Sequence, residues 1–323
     1  MGNADLVLEG GGVKGIGLVG AISALHSAGY DFGGDARIAG TSAGAVVGSL
    51  VAAGATVDEL AETMRGLDYR RFRDSGWPGG FGDLLSLVTR LGLYKGDWLH
   101  GWIREQLAGY GVRTFGDLRI TGDPASALPS ERAYRLVVVV SDVTRGRLVR
   151  LPWDYANYGL DPDEQPVADA VRASASIPFF FRPVQLPDPR GGTPSCCVDG
   201  GMLSNFPVHL FDRDDDTPPR WPTFGVKLSA RPPRSGPNTG PRLRGLLSLT
   251  KALVSTMVEA HDRMSLDDPA VLDRTVFVDT DGVSATDFDL DDNRREILFA
   301  SGLSAAERFL VGWDFDRYLK SYR

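Results

Sequence analysis

An α/β fold built on a mostly parallel sheet is what this sequence predicts, and three observations predict it. Twice within the first 54 residues a short apolar run meets a glycine-bearing turn and then a small-residue helical stretch. Residues 135–152, "RLVVVVSDVTRGRLVRLP", carry the clearest strand signal, two apolar runs around a polar turn at Gly146. Further short apolar runs, "PSCCVDGGML", "TFGVKLS" and "RTVFVDT", recur later in the chain.

In order, "DLVL" at 5–8 reads as a buried strand, and "GLVGAISALHSAG" as a helix with Leu18, Ala21, Ile22 and Leu25 on one face and Gly29 as its stop. "ARIAG" is a second strand, followed at once by the helix "AGAVVGSLVAAG". Residues 69–110 mix aromatic, glycine and basic residues with helical segments, and are expected to elaborate the edge of the sheet. "NRREILFASGLSAAERFLVGW" supplies a late helix. The Pro/Gly-rich stretches "LPDPRGGTPS" and "SARPPRSGPNTGPRLRG" read as loops. The second, a basic loop at about 230–245, carries Arg231, Arg234, Arg242 and Arg244 and precedes an apolar helical pattern from Leu243 to Val258. A cationic, partly apolar surface for anionic lipid is one reading of it, and a core-packed helix after a solvated loop is the other.

Composition sets the outer limits. A chain of 323 residues, 42% hydrophobic and 24% charged, can bury one large core. Its net charge of -7 argues against wholesale nucleic-acid binding. The N-terminus "MGNADLVLEGGG" has no basic, apolar leader pattern, so a cytoplasmic protein is expected. The only cysteines, Cys196 and Cys197, are adjacent, and His26, His100, His209 and His261 are scattered, so neither a disulfide framework nor a metal site is expected.

Two motifs compete for the chemistry. "VLEGGGVKGIG" places Gly10, Gly12 and Gly15 in the G-x-G-x-x-G arrangement, with Asp31 and Asp35 where a ribose-binding acid would stand, which is the pattern of an NAD- or FAD-binding oxidoreductase. Consecutive amides at a helix start also stabilise an oxyanion, so the loop alone does not decide. Gly40-Thr41-Ser42-Ala43-Gly44 fits G-x-S-x-G, the turn that exposes a nucleophilic serine between strand and helix. The base for Ser42 is open at this level. His209 is one candidate, and Asp199, an acid at a strand end followed by Gly200 and Gly201, is the other; an Asp-Gly hairpin turn is the bland reading of the same residues.

"GGGVKG" at 10–15, "GTSAG" at 40–44 and "DGG" at 199–201, together with "VRASASIPFFFRPV" at 171–184, resemble the patatin-like phospholipase family over roughly residues 5–210. The resemblance implies a three-layer α/β/α fold and a lipid acyl hydrolase of the phospholipase A type acting on phospholipids or other acyl lipids. It implies Ser42 as nucleophile and Asp199 as its base, with an oxyanion hole in the loop Gly10, Gly11, Gly12, Val13, Lys14 and Gly15 and an elbow framed by Gly40 and Gly44. The amides of Gly11 and Gly12 are the expected principal donors. The resemblance also implies that Phe179, Phe180 and Phe181 border an acyl pocket, with core packing expected for at least two of them. No cofactor is expected, and the partner would be a lipid, met at a membrane surface peripherally. A non-catalytic binding protein of the same family is the remaining alternative. The expected organisation is a catalytic core at 1–210 and an extension at 211–323 that completes the same domain.

Overall fold

The computed structural model describes residues 2–74, 91–121, 129–213, 217–229, 268–280 and 282–322. The basic loop at 230–245, the helical pattern at 243–258 and residues 75–90 of the expected elaboration therefore lie outside the described residues.

A sheet of eight strands forms the centre. Its parallel half consists of β2 (Asp5–Leu8), β4 (Ile38–Thr41), β6 (Leu136–Asp142), β11 (Thr223–Lys227) and β12 (Thr275–Phe277), in the order β12-β11-β2-β4-β6. β7 (Arg147–Leu151), β9 (Val184–Leu186) and β10 (Ser195–Asp199) add antiparallel pairings: β6 with β7, β6 with β10, and β10 with β9. Two small parallel ribbons stand apart, β1 (Gly2–Asn3) with β3 (Tyr30–Asp31) and β5 (Gly92–Tyr94) with β8 (Phe179–Phe181).

Strands buried on both faces explain why "DLVL" and "RLVVVV" read as continuous apolar runs rather than alternating ones. Leu6, Leu8, Ile38, Leu136, Val138 and Val140 point into the larger core. Their neighbours Val7, Ala39 and Val137 join a smaller one with Phe206, Val208, Phe211 and Val271. Helices α1 (Ile16–Ser27), α2 (Ala43–Ala53) and α3 (Val57–Arg65), with α4 (Asp97–Gly109) and α5 (Val167–Ser174), carry apolar residues into the larger core. The short α6 (Pro269–Leu272) contributes Val271 to the smaller one. The three-layer α/β/α arrangement expected from the sequence is the one observed.

The late helix α7 (Asp292–Gly312) lies along α1, and α8 (Phe315–Tyr322) follows it. The crossing is close because glycines meet backbone: a β-carbon on Gly302 would fall 2.0 Å from the Gly17 carbonyl, and one on Gly20 would fall 2.0 Å from the Phe299 carbonyl. α3 has the capping box that Thr56 and Glu59 encode, which the sequence reading had passed over.

Register brings the ends of β4 and β10 together. β7 runs along one edge of β6 from Val138 to Asp142. Pairing β6 on its other edge, β4 reaches Val139 through Thr41, and β10 ends opposite Val140 with Asp199. Two strands running in opposite directions thus stop head to head on a single edge of β6, and the residues at their ends face each other.

Candidate active site

Ser42 follows β4 and caps α2 with a backbone φ of 52°, a left-handed value that L-residues bearing a β-carbon adopt at a cost. The turn closes tightly: a β-carbon on Gly44 would sit 2.2 Å from the Leu8 carbonyl, and one on Gly40 would sit 2.2 Å from the Gly44 carbonyl. Both glycines of the elbow are therefore required by close approach. The Ser42 amide donates to Ser174 Oγ at 2.8 Å, and that hydroxyl donates to the Val139 carbonyl at 2.6 Å. The strained backbone is held by α5 on one side and β6 on the other.

Asp199, at the end of β10, faces the Ser42 hydroxyl, which acts to hold its carboxyl pKa down. Its own amide donates to the Ser176 carbonyl at 2.9 Å, and its Oδ1 accepts from the Gly201 amide at 2.9 Å. Gly200 lets the chain turn against β6, where a β-carbon would meet the Val139 carbonyl at 2.3 Å. Burial pushes the Asp199 carboxyl up to about 6, and the Ser42 hydroxyl and the Gly201 amide pull it partly back. The acid is thus a better base than a free aspartate and is ionised at neutral pH.

The glycine loop follows β2, at the same carboxyl end of the sheet. An added β-carbon on Gly10 would be 3.1 Å from Ser42 Cβ, so loop and serine are adjacent. Asn205 fastens this point, its Nδ2 donating to the Gly10 carbonyl at 3.1 Å. Among the described residues the Gly11 and Gly12 amides donate to no backbone carbonyl, whereas Val13 donates to Ala285 at 3.1 Å and Lys14 to Gly11 at 3.2 Å. Of the loop amides expected in the oxyanion hole, those of Val13 and Lys14 are thus engaged by backbone carbonyls in this structure. Gly10 donates weakly to the Asn205 carbonyl at 3.4 Å, and Gly15 is buried against α2 and Met64. Lys14 Nζ donates to Thr280 Oγ1 at 3.0 Å, and Thr280 to the Leu228 carbonyl at 3.0 Å. Below the loop, Glu9 accepts from Lys227 Nζ and the Leu228 amide in a buried ion pair.

The other sequence candidates lie elsewhere. His209 bonds Asp212 at 2.9 Å, and Asp212 takes Arg274, which precedes β12, so this cluster lies at the amino end of the parallel strands, opposite Ser42. Asp31 is beside Ala4 at the amino end of β2, and Asp31 and Asp35 both act on Arg135 there. Neither acid reaches the glycine loop, which removes the ribose contact that the dinucleotide pattern needs. Of the three phenylalanines, Phe181 is buried against Phe72, Tyr94 and Phe288, Phe180 is half-buried, and Phe179 is exposed.

The sequence reading missed the supports. Ser174 and Ser176 lie in the quoted "RASASIP", and Asn205 lies four residues beyond the "DGG". A polar residue spaced to vanish into an apolar helix was the available signal, but the partners that tie these supports to the site are 23 to 195 positions away in the chain.

The chain is similar to known proteins along most of its length. Residues 6–212 match the family profile described as patatin-like phospholipase. The chain is 38% identical to the uncharacterized protein YqhO of Bacillus subtilis, over 96% of this chain and 99% of YqhO. It is 24% identical to the uncharacterized protein R571 of Acanthamoeba polyphaga mimivirus, over 95% and 93%. VipD of Legionella pneumophila superposes with a TM-score of 0.54 at 21% identity, over 95% of this chain and 66% of the VipD chain, which is a likeness of fold.

Proposed function

This chain belongs to the patatin-like phospholipase family, and from that premise we propose that it is a serine hydrolase cleaving fatty-acyl esters of phospholipids through a Ser42–Asp199 dyad. The observation that carries the reading is a strained, nearly buried serine beside a buried carboxylate whose pKa is pushed up to about 6.

In this reading Ser42 Oγ attacks the ester carbonyl as its proton passes to Asp199, so the alkoxide never builds up free charge. The carbonyl oxygen becomes an oxyanion, and the amides of Gly11 and Gly12 stabilise it, each contributing on the order of 10²–10³-fold in rate. The amino end of α2, capped by Ser42, adds a partial positive charge to the same place. Collapse of the intermediate transfers the proton to the departing alcohol and leaves an acyl-serine. Water then attacks this ester with Asp199 again as base, releasing the fatty acid and restoring the serine. What supports the order of proton transfers is the meeting of the two strand ends that carry these side chains.

The rest of the assignment follows from the same premise. In this reading the lipid is met peripherally at a surface; no described helix is long and apolar enough to cross a membrane. We also read residues 211–323 as part of the catalytic unit, because β11 and Leu228 border the glycine loop.

The test is fatty-acid release from mixed phospholipid vesicles by wild type, Ser42→Ala and Asp199→Asn, with a fluorophosphonate label read at Ser42. Activity and labelling in wild type, with loss of at least about 10³-fold in each variant, are the expected outcome. Undiminished hydrolysis by Asp199→Asn would sink the dyad.

A further inference from the structure

Among the described residues, three that are not glycine have a left-handed φ: Ser42 at 52°, Leu91 at 59° and Phe179 at 69°. The first belongs to the elbow. The other two stand at the entrance of one ribbon, since Phe179 opens β8 and pairs with Gly92, the residue after Leu91. Both side chains are exposed, Leu91 by 58% and Phe179 by 42%. A bulky residue held left-handed is strained, which costs free energy. In water alone, two exposed apolar side chains return nothing for that cost.

The ribbon is rigidly mounted. Arg172, on α5, is buried and donates to the carbonyls of Gly96 at 3.0 Å and Lys95 at 2.6 Å, just past β5, and of Arg182 at 3.1 Å, just past β8. It also donates to Ser176 Oγ, and the Ser176 carbonyl holds the Asp199 amide. The guanidinium therefore ties the ribbon to the strand end that carries the candidate base. Behind the exposed pair the apolar surface continues inward. Phe180 packs on Phe288 with ring centroids 6.1 Å apart, and the Ala285 carbonyl, in the same segment, holds the Val13 amide of the glycine loop.

We propose that Leu91 and Phe179 form an insertion ridge that seats this protein on a phospholipid bilayer beside the mouth of the ester site. The proposal rests on the lipid-ester reading above and names the surface that meets the substrate. A fluid bilayer is the occupant that two projecting side chains fit, because a stable protein partner needs about 800 Å² of matched surface. Apolar side chains entering the headgroup and acyl boundary gain the burial that water denies them. The rigid mount keeps that depth fixed relative to Ser42.

The experiment measures co-sedimentation of Ser42→Ala protein with phosphatidylcholine/phosphatidylglycerol vesicles. Replacing Leu91 and Phe179 together by asparagine is expected to weaken partitioning by about tenfold or more. Asparagine accepts a left-handed backbone, so the melting temperature should hold or rise. Phe179→Leu should keep most of the binding, and Val311→Asn, which changes a 91% exposed side chain on the last turn of α7, should keep all of it. Unchanged binding in the double variant would overturn the ridge, as would an equal loss in Val311→Asn or a drop in melting temperature that marks the two residues as core. Wild-type hydrolysis of a short-chain soluble ester is read separately. No ester hydrolysis with ridge-dependent vesicle binding intact overturns the hydrolase reading alone, and ester hydrolysis with ridge-independent binding overturns the ridge alone.

Discussion

At the scale of single residues, Asp199 links chemistry to stability. Its carboxyl must be ionised to take the serine proton, so kcat/KM should fall about tenfold per pH unit below a single limb near 6. The limb should persist in His209→Ala, because His209 is engaged with Asp212 and Arg274 at the far end of the sheet. The same carboxyl titrates near its ordinary value of about 3.9 in the unfolded chain. The folded protein therefore binds this proton more tightly, and the stability it contributes is complete below about pH 4 and lost as pH rises through about 6. At neutral pH the charged, buried group costs about 3 kcal/mol. The melting-temperature difference between Asp199→Asn and wild type, followed from pH 4 to 7, should accordingly shift in favour of the variant. A flat difference would mean that Asp199 titrates as a free acid. This residue was legible as a candidate from "DGG", and the resemblance carried by the three motifs favoured it over His209; what local pattern does not carry is the register that ends β10 beside the Ser42 turn.

At the scale of elements, the crossing of α1 and α7 is set by backbone contact. Gly302 admits no β-carbon without displacing the Gly17 carbonyl, which is part of α1's own backbone. Gly302→Val should destabilise the fold by roughly 1–3 kcal/mol through overpacking, measured as a lower denaturant midpoint at constant m-value. No loss would show that the two helices can separate freely. Both helices were readable from their apolar spacing, as were β2, β4, β6 and β7, because local pattern dictates them. The β5–β8 ribbon was not readable: each strand is three residues long, and they are paired across more than 80 positions of chain.

At the scale of the whole molecule, residues beyond the family match complete the sheet. β11 supplies the neighbour of β2, β12 covers β11, and α7 covers α1. Lys227 and Leu228 grip Glu9, and Ala285 holds Val13, so the glycine loop is shaped by the second half of the chain. A fragment of residues 1–212 is expected to lack near-UV circular dichroism and to bind a hydrophobic dye, with no fluorophosphonate labelling of Ser42. A folded, labelled fragment would show that the extension is dispensable.

By itself the sequence determined the fold class, the order of its strands and helices along the chain, and the three glycine-bearing motifs, because propensity, periodicity and turn chemistry act between near neighbours. Only the tertiary structure shows that the strand ends bearing Ser42 and Asp199 meet on one edge of β6, that His209 lies at the opposite end of the parallel strands, and which of three successive phenylalanines faces water. Those answers depend on strand register and on which edge of β6 each strand occupies, quantities fixed by packing between segments far apart in the chain.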